Sequence, residues 1–244
     1  MRTSRSVAKA SRPLAVVEVV FSSRESRSRF VHARFGAYLK GSVLDLGCFE
    51  APLRSLIGGA RYVGVDFAGD PDVALDLEKT DRLPFDDSAF DCVLCIDVLE
   101  HLDNFHAIFD ELVRVSRRHV VVSLPNCWCN ARRLIGRGKG YFCHYGLPLQ
   151  RPEDRHKWFF NLSDAQRFLE GQAGGRGLDI REMFYSEKPK PGLLKLLRRI
   201  LYPGERYRNR YGNALWAVLE KRTREAAPAP RILDRDRSIG CGPG

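Results

Sequence analysis

Four short apolar runs constrain this chain more than any other feature: SVLDL (42–46), RYVGVD (61–66), DCVLCI (91–96) and HVVVSLP (119–125). Their apolar residues are nearly continuous rather than alternating, as in strands covered on both faces. Amphipathic segments lie between and before them. Residues 104–116 place Phe105, Ile108, Phe109, Leu112 and Val115 at helical spacing. Residues 24–39 place Val31, Phe35, Tyr38 and Leu39 on one face, with Ser22 or Ser23 as cap and Gly41 as terminator. Strands alternating with helices imply an α/β domain, its sheet mostly parallel and its crossovers right-handed. A length of 244 residues with 44% hydrophobic content suffices for one well-buried domain.

The remaining elements follow from the same reading. A short helix is expected after the first strand, through about Ile57, and DVAL (72–75) is a short third strand reached by a tight loop. After Pro125 the pattern breaks into a basic, aromatic insertion, residues 126–161. A helix capped by Ser163 resumes at 163–170, and LDIREMFY (178–185) and NALWAVLE (213–220) close the sheet. The expected organisation is an N-terminal extension (1–23), one domain (24–221) and a disordered tail (222–244) containing AAPAP and CGPG.

No apolar run approaches the ~20 residues of a membrane span. The N-terminal stretch has basic residues before an apolar run, as a secretory leader does, but Glu18 interrupts it and no small-residue cleavage site follows. A cytoplasmic location is expected. Seven cysteines, an odd number with Cys92 and Cys95 inside a buried strand, fit a reducing compartment.

The net charge of +10 is uneven. Residues 1–40 carry nine Lys/Arg against two Glu, and residues 188–210 carry eight against one, whereas residues 45–117 hold sixteen Asp/Glu and six Lys/Arg. Basic flanks of this kind suit an anionic partner, whether nucleic acid, a membrane surface or a phosphorylated substrate, and equally suit a solvated surface. Within the second flank, LLKLLRRIL (193–201) is amphipathic. The pattern fits an interfacial helix at the inner face of a membrane, and also a helix docked on its own domain; docking is the expectation.

Three strand ends carry chemistry. Asp45-Leu46-Gly47 closes the first strand, where open α/β sheets bind ligands and glycine lets backbone approach them. Asp66 ends the second strand, where a carboxylate can accept hydrogen bonds from both hydroxyls of a ribose. Asp76-Leu77 ends the third, where a side-chain oxygen and a backbone N–H can read the amino edge of adenine.

In this order VLDLGC, YVGVD, DLEKTDRLPFDDSAFDCVLCIDVLEHL and VVVSLPN resemble the class I methyltransferases that use S-adenosylmethionine, particularly the small-molecule type with an LPF…D…FD…VLEH block. The resemblance covers about residues 24–125 and the two closing strands. It implies a seven-stranded Rossmann-like sheet of order 3-2-1-4-5-7-6 with one antiparallel closing strand. It also implies S-adenosylmethionine as cofactor, with Asp45, Gly47 and Cys48 beside the methionine portion, Asp66 on the ribose, Asp76 and Leu77 at adenine, and Cys95 to Asp97 lining the pocket. YGLPLQRPEDRHKWFF more loosely resembles a bacterial subgroup met near genes for cell-surface polysaccharide. The family's frequent G-x-G-x-G stands here as Gly47-Cys48-Phe49-Glu50-Ala51. S-adenosylmethionine has no pyrophosphate to seat, so the loop is expected to function with one glycine.

The acceptor side is read from the insertion. Tyr141, His144, Tyr145, Asp154, Arg155, His156, Lys157, Trp158 and Phe159 suit a sugar, a phosphorylated head group or a base. His32, His106 and His119 fall where packing explains them, and His101, close to the pocket, is read as packing locally, which leaves His144 and His156 as candidate catalytic residues. His156 is preferred as proton acceptor, with Asp154 near it. No metal is expected, either at Asp97, Glu100 and His101 or at Cys127, Cys129, Cys143 and His144. The expected function is O-methylation of a saccharide or lipid-linked saccharide. An RNA methyltransferase and a catalytically silent binding module on the same fold are the alternatives.

Overall fold

The apolar runs pair side by side. In the computed structural model, which describes residues 13–142, 144–150, 152 and 155–222, the first becomes β2 (Ser42–Leu46). It is flanked by β3 (Arg61–Asp66) and β5 (Phe90–Ile96), both parallel to it. The two-residue β4 (Val73–Ala74) extends the sheet beyond β3, and β6 (Ser116–Pro125) lies parallel to β5. β8 (Gly212–Lys221) runs antiparallel to both β6 and β7 (Leu178–Glu187). The strands expected from sequence thus take the order 3-2-1-4-5-7-6.

An eighth strand lies outside that expectation. β1 (Ala15–Glu18) pairs parallel with β7, giving the order β1-β7-β8-β6-β5-β2-β3-β4. The apolar stretch with the look of a leader is the edge strand of the sheet.

Both faces are covered. Leu44, Leu46, Val93, Cys95, Val120 and Val122 face a cluster completed by α2 (Phe105–Val115) and α4 (Leu162–Arg176). Their neighbours Val43, Cys92, Leu94 and Val121 face a second cluster under α1 (Arg24–Phe35), where Trp216 stacks with Phe184 and Phe35.

Several boundaries differ from the sequence reading. α1 ends at Phe35 with Gly36 as its cap, while Gly41 (φ +74°) turns the chain into β2, where a side chain would strike Asp91. No helix forms through Ile57; between Ala51 and Gly58 there are only turns, because the stretch is too short to offset helix nucleation. α4 is capped by Asn161, not Ser163: the Asn161 side chain accepts from the N–H groups of Ser163 and Asp164, and Asp164 accepts from the Asn161 N–H in return. The insertion opens with a helix that its low apolar content concealed, α3 (Cys127–Arg137), capped by Asn126 and ended by left-handed Gly138.

Because β1 through β7 all run the same way, their carboxyl ends share one edge of the sheet. The loops after β2 and β3, the turn after β5, α3 with the insertion, and α5 (Gly192–Leu201) with α6 (Glu205–Tyr211) therefore converge on that edge.

Candidate active site

The loop after β2 keeps a glycine-rich shape without the glycines. Gly47, Phe49 and Ala51 have φ of +78°, +51° and +49°. Left-handed backbone costs a residue with a side chain roughly 1–2 kcal/mol, so Phe49 and Ala51 must be held by their surroundings. The Phe49 N–H donates to Asp66 Oδ2 (2.8 Å) and its carbonyl accepts from the Asp70 N–H (2.8 Å). The Phe49 ring lies under the Arg24 guanidinium of α1, 4.0 Å from its centroid. Gly47 is required sterically, since a methyl there would collide with Val98. Cys48 is buried against Gly64, and burial pushes its thiol up to about 12.

The strand-end acids are engaged before any ligand arrives. Asp45 is buried and accepts a hydrogen bond from the Tyr62 hydroxyl (2.7 Å). Burial raises its carboxyl to about 6, against the opposing effects of Tyr62 and the Arg27 charge. Asp66 accepts three backbone N–H groups, from Phe49, Phe67 (2.7 Å) and Ala68 (3.2 Å). With about four acceptor positions on a carboxylate, Asp66 retains acceptor capacity, chiefly on Oδ2, which takes only the Phe49 N–H.

Asp76 caps the 3₁₀ turn Leu77–Lys79, accepting from the Glu78 N–H and pairing with Lys79 (2.8 Å). The side chains of Leu77 and Cys95 lie in the core, so only their backbone can meet a ligand. Asp97, at φ +53°, accepts from Ser123 Oγ (2.5 Å) and pairs with Arg27 (2.7 Å). Sequence reasoning missed Arg27, Tyr62 and Ser123, whose partners lie far off in the chain.

The insertion brings its histidines to the turn after β5. His144 and His156 stack at 4.4 Å between centroids, and His101 meets His156 edge-on at 4.5 Å. The Tyr145 hydroxyl lies 2.7 Å from His156 Nδ1. Contacts that fasten the segment include the Lys157 N–H donating to the Glu100 carbonyl (2.8 Å), Lys157 pairing with Asp103 (2.8 Å) and with Glu78, and Trp158 Nε1 donating to the Leu102 carbonyl (2.7 Å).

Glu100, His101 and His156 bring ligand atoms within 4.8 Å of one another, a set that can hold a divalent cation. Only the last of these donors comes from the insertion, and no local motif signals it. Cys127 and Cys129 are free thiols outside that group, and Cys143 and Asp154 lie outside the described residues. His106 packs against Trp158 and Phe168, and burial lowers the pKa of His119 beside Glu220. An open hollow of about 640 Å³ is lined by Tyr141, Leu147, Pro148, Leu149, Gln150 and Pro152, and by none of the strand-end acids.

Residues 44–124 match the family model described as a methyltransferase domain. No curated protein sequence matches the chain. Among solved structures, a SAM-dependent methyltransferase from Archaeoglobus fulgidus is 16% identical, with 82% of this chain and 95% of that one covered, at a TM-score of 0.52. Magnesium protoporphyrin IX methyltransferase from Synechocystis, with bound SAH, is 18% identical over 81% of each chain at a TM-score of 0.48. The sheet order and the matched segment define a Rossmann-like methyltransferase domain. The matched segment is that of a methyltransferase, the class for which S-adenosylmethionine is the expected cofactor.

The residues present suit that cofactor. Asp66 retains an acceptor position for a ribose hydroxyl, and the Asp45 carboxyl, raised by burial, would have its charged form favoured by a cationic ligand.

Proposed function

We propose that the enzyme methylates a hydroxyl oxygen of a saccharide or lipid-linked saccharide, with His156 as proton acceptor. The observation that carries this reading is the docking of the histidine- and aromatic-bearing insertion onto residues 99–103, at the sheet edge where the cofactor loop lies. S-adenosylmethionine supplies an electrophilic sulfonium methyl. Asp66 holds a ribose hydroxyl, Asp45 offers negative charge to the methionine end beside Gly47 and Cys48, and Asp76 with the Leu77 backbone borders adenine. The backbone from Cys95 to Asp97 lines the pocket.

A hydroxyl becomes a strong nucleophile as its proton leaves. His156 can take that proton at Nε2 if its Nδ1–H is donated to the Tyr145 oxygen, an arrangement consistent with their 2.7 Å separation. His144, stacked on the ring, restricts its rotation. The aromatic residues of the insertion suit the apolar faces of a sugar.

The test is transfer of labelled methyl from S-adenosylmethionine into fractionated extracts. Label in saccharide or lipid-linked saccharide supports the proposal; label confined to RNA would replace it with the nucleic-acid reading. The second reading is a divalent cation on Glu100, His101 and His156, favoured by the proximity of their ligand atoms. Turnover is expected to survive exhaustive chelation with EDTA. Loss restored by Mg²⁺ or Mn²⁺ would make these residues ligands and remove His156 as base.

A further inference from the structure

α5 is mounted inside out. Its basic side faces the protein: Lys195 pairs with Glu18 at the end of β1, the Arg198 guanidinium lies 4.5 Å from the Tyr211 ring centroid, and that of Arg199 lies 5.2 Å from Tyr207. Its apolar side, Leu193, Leu194, Leu196, Leu197, Ile200 and Leu201, faces outward. Leu193 is 70% exposed and Ile200 67%, and α5 has no buried residue. This reverses the docking expected from sequence. A surface helix ordinarily buries its apolar stripe, so this outward stripe lacks an apolar partner within the described part of the chain.

The stripe does not stand alone. Trp128 and Ile135 of α3, and Leu147 and Leu149 of the insertion, are also exposed. α3, the insertion and α5 all follow strands at the carboxyl edge of the sheet, the edge that carries the candidate active site, and Arg132 of α3 and Arg198 of α5 both lie over the Tyr211 ring. Exposed apolar surface of this extent marks an interaction face.

Charge selects the partner. Arg133, Arg137, Lys139, Lys188 and Lys190 are exposed beside this apolar surface, and residues 126–152 and 188–204 contain no Asp or Glu to offset them. Two copies meeting through such a face would set like charges together, whereas an anionic bilayer offers apolar depth and opposite charge at once. No helix among the described residues is long and apolar enough to cross a membrane, so the contact is interfacial.

We propose that α5, with the exposed rim of α3 and the insertion, seats the enzyme on an anionic lipid bilayer surface, α5 lying in the headgroup plane with its leucines inward. The active-site edge then meets the membrane. The proposal deepens the lipid-linked acceptor reading and rests on it only for its purpose, because the surface itself is independent of the reaction.

Co-sedimentation of the full chain with vesicles, without cofactor or acceptor, tests it separately from methyl transfer. Phosphatidylcholine vesicles containing phosphatidylglycerol are expected to bind the protein, and phosphatidylcholine alone to bind it at least about tenfold more weakly. Raising salt should release it. The triple variant Leu193→Ser, Leu197→Ser, Ile200→Ser should lose binding about tenfold or more with unchanged thermal stability, since it alters only exposed side chains. If that variant misfolds, Lys188→Glu with Lys190→Glu, both exposed, should lower binding to the anionic vesicles. Absence of binding, or equal binding by the variants, overturns the proposal. So does a wild-type dimer that the triple variant abolishes, which would assign the stripe to a second copy.

Discussion

The two halves of the sheet's carboxyl edge are built in opposite ways. On the cofactor half, the loops after β2 and β3 are joined backbone to backbone, and Asp45, Asp66, Asp76 and Asp97 each hold a protein partner. On the acceptor half, side chains from distant segments meet: Glu100 and His101 from the turn after β5, and His144, Tyr145 and His156 from the insertion. The first half is cross-linked by its own hydrogen bonds and ion pairs. The second is a rim whose polar groups turn inward and whose apolar groups turn outward. A fixed cofactor and an acceptor delivered from another phase would call for this division.

The largest expected effect lies on the acceptor half. His156→Ala should lower turnover by roughly 10²–10⁴ and leave cofactor affinity intact, measured by initial rates and calorimetry in parallel. Equal loss of cofactor affinity would erase the separation between the halves. Near-normal turnover would remove His156 from the chemistry.

Next comes a pH effect confined to the cofactor half. The fold holds the Asp45 carboxyl at about 6, above its ordinary 3.8, so the protonated form is favoured in the native state. Its contribution to stability is complete below about pH 4 and is lost as pH rises through about 6. Asp45→Asn, which can still accept from Tyr62, should therefore stabilise the cofactor-free protein at pH 8 by on the order of 2–3 kcal/mol. That advantage should vanish near pH 4. Denaturant melts at the two pH values check it, and a pH-independent difference would contradict the assigned cause.

The smallest effects concern the loop itself. Gly47→Ala should cost about 2 kcal/mol or more, because it combines a left-handed backbone with a collision against Val98. Ala51→Gly should change stability by less than about 1 kcal/mol, as relief of the left-handed backbone offsets a lost buried methyl and added chain entropy. A large loss in the second variant would show that the methyl, not the backbone, holds the turn.

The halves also differ in how much the sequence disclosed. The central strands and the positions of Asp45, Gly47 and Asp66 were readable because each is local: an apolar run, then an acid, then a turn; the strand order followed only from the family resemblance. The partners of those acids were not, since Tyr62, Arg27 and Ser123 reach them across strands and from α1. His156 could be suspected by elimination among six histidines, but its stacking on His144 and its approach to Glu100 depend on how the insertion folds back. α5 shows a different limit. Amphipathic spacing reveals that a helix has two faces and says nothing about which face meets the protein. β1 was hidden for a related reason, because an apolar edge strand and an apolar leader read alike.

Isothermal titration of S-adenosylmethionine, or of its demethylated product, into wild type and Asp66→Ala tests the central claim most directly. The account predicts one site in wild type and a loss of about 2–4 kcal/mol in the variant, because a ribose hydroxyl loses its acceptor and the N–H groups of Phe49, Phe67 and Ala68 lose theirs. Asp66→Asn, which keeps acceptor oxygen for part of that set, should fall between the two. No binding to wild type, or equal affinity in all three proteins, would contradict the placement of the cofactor at this strand edge.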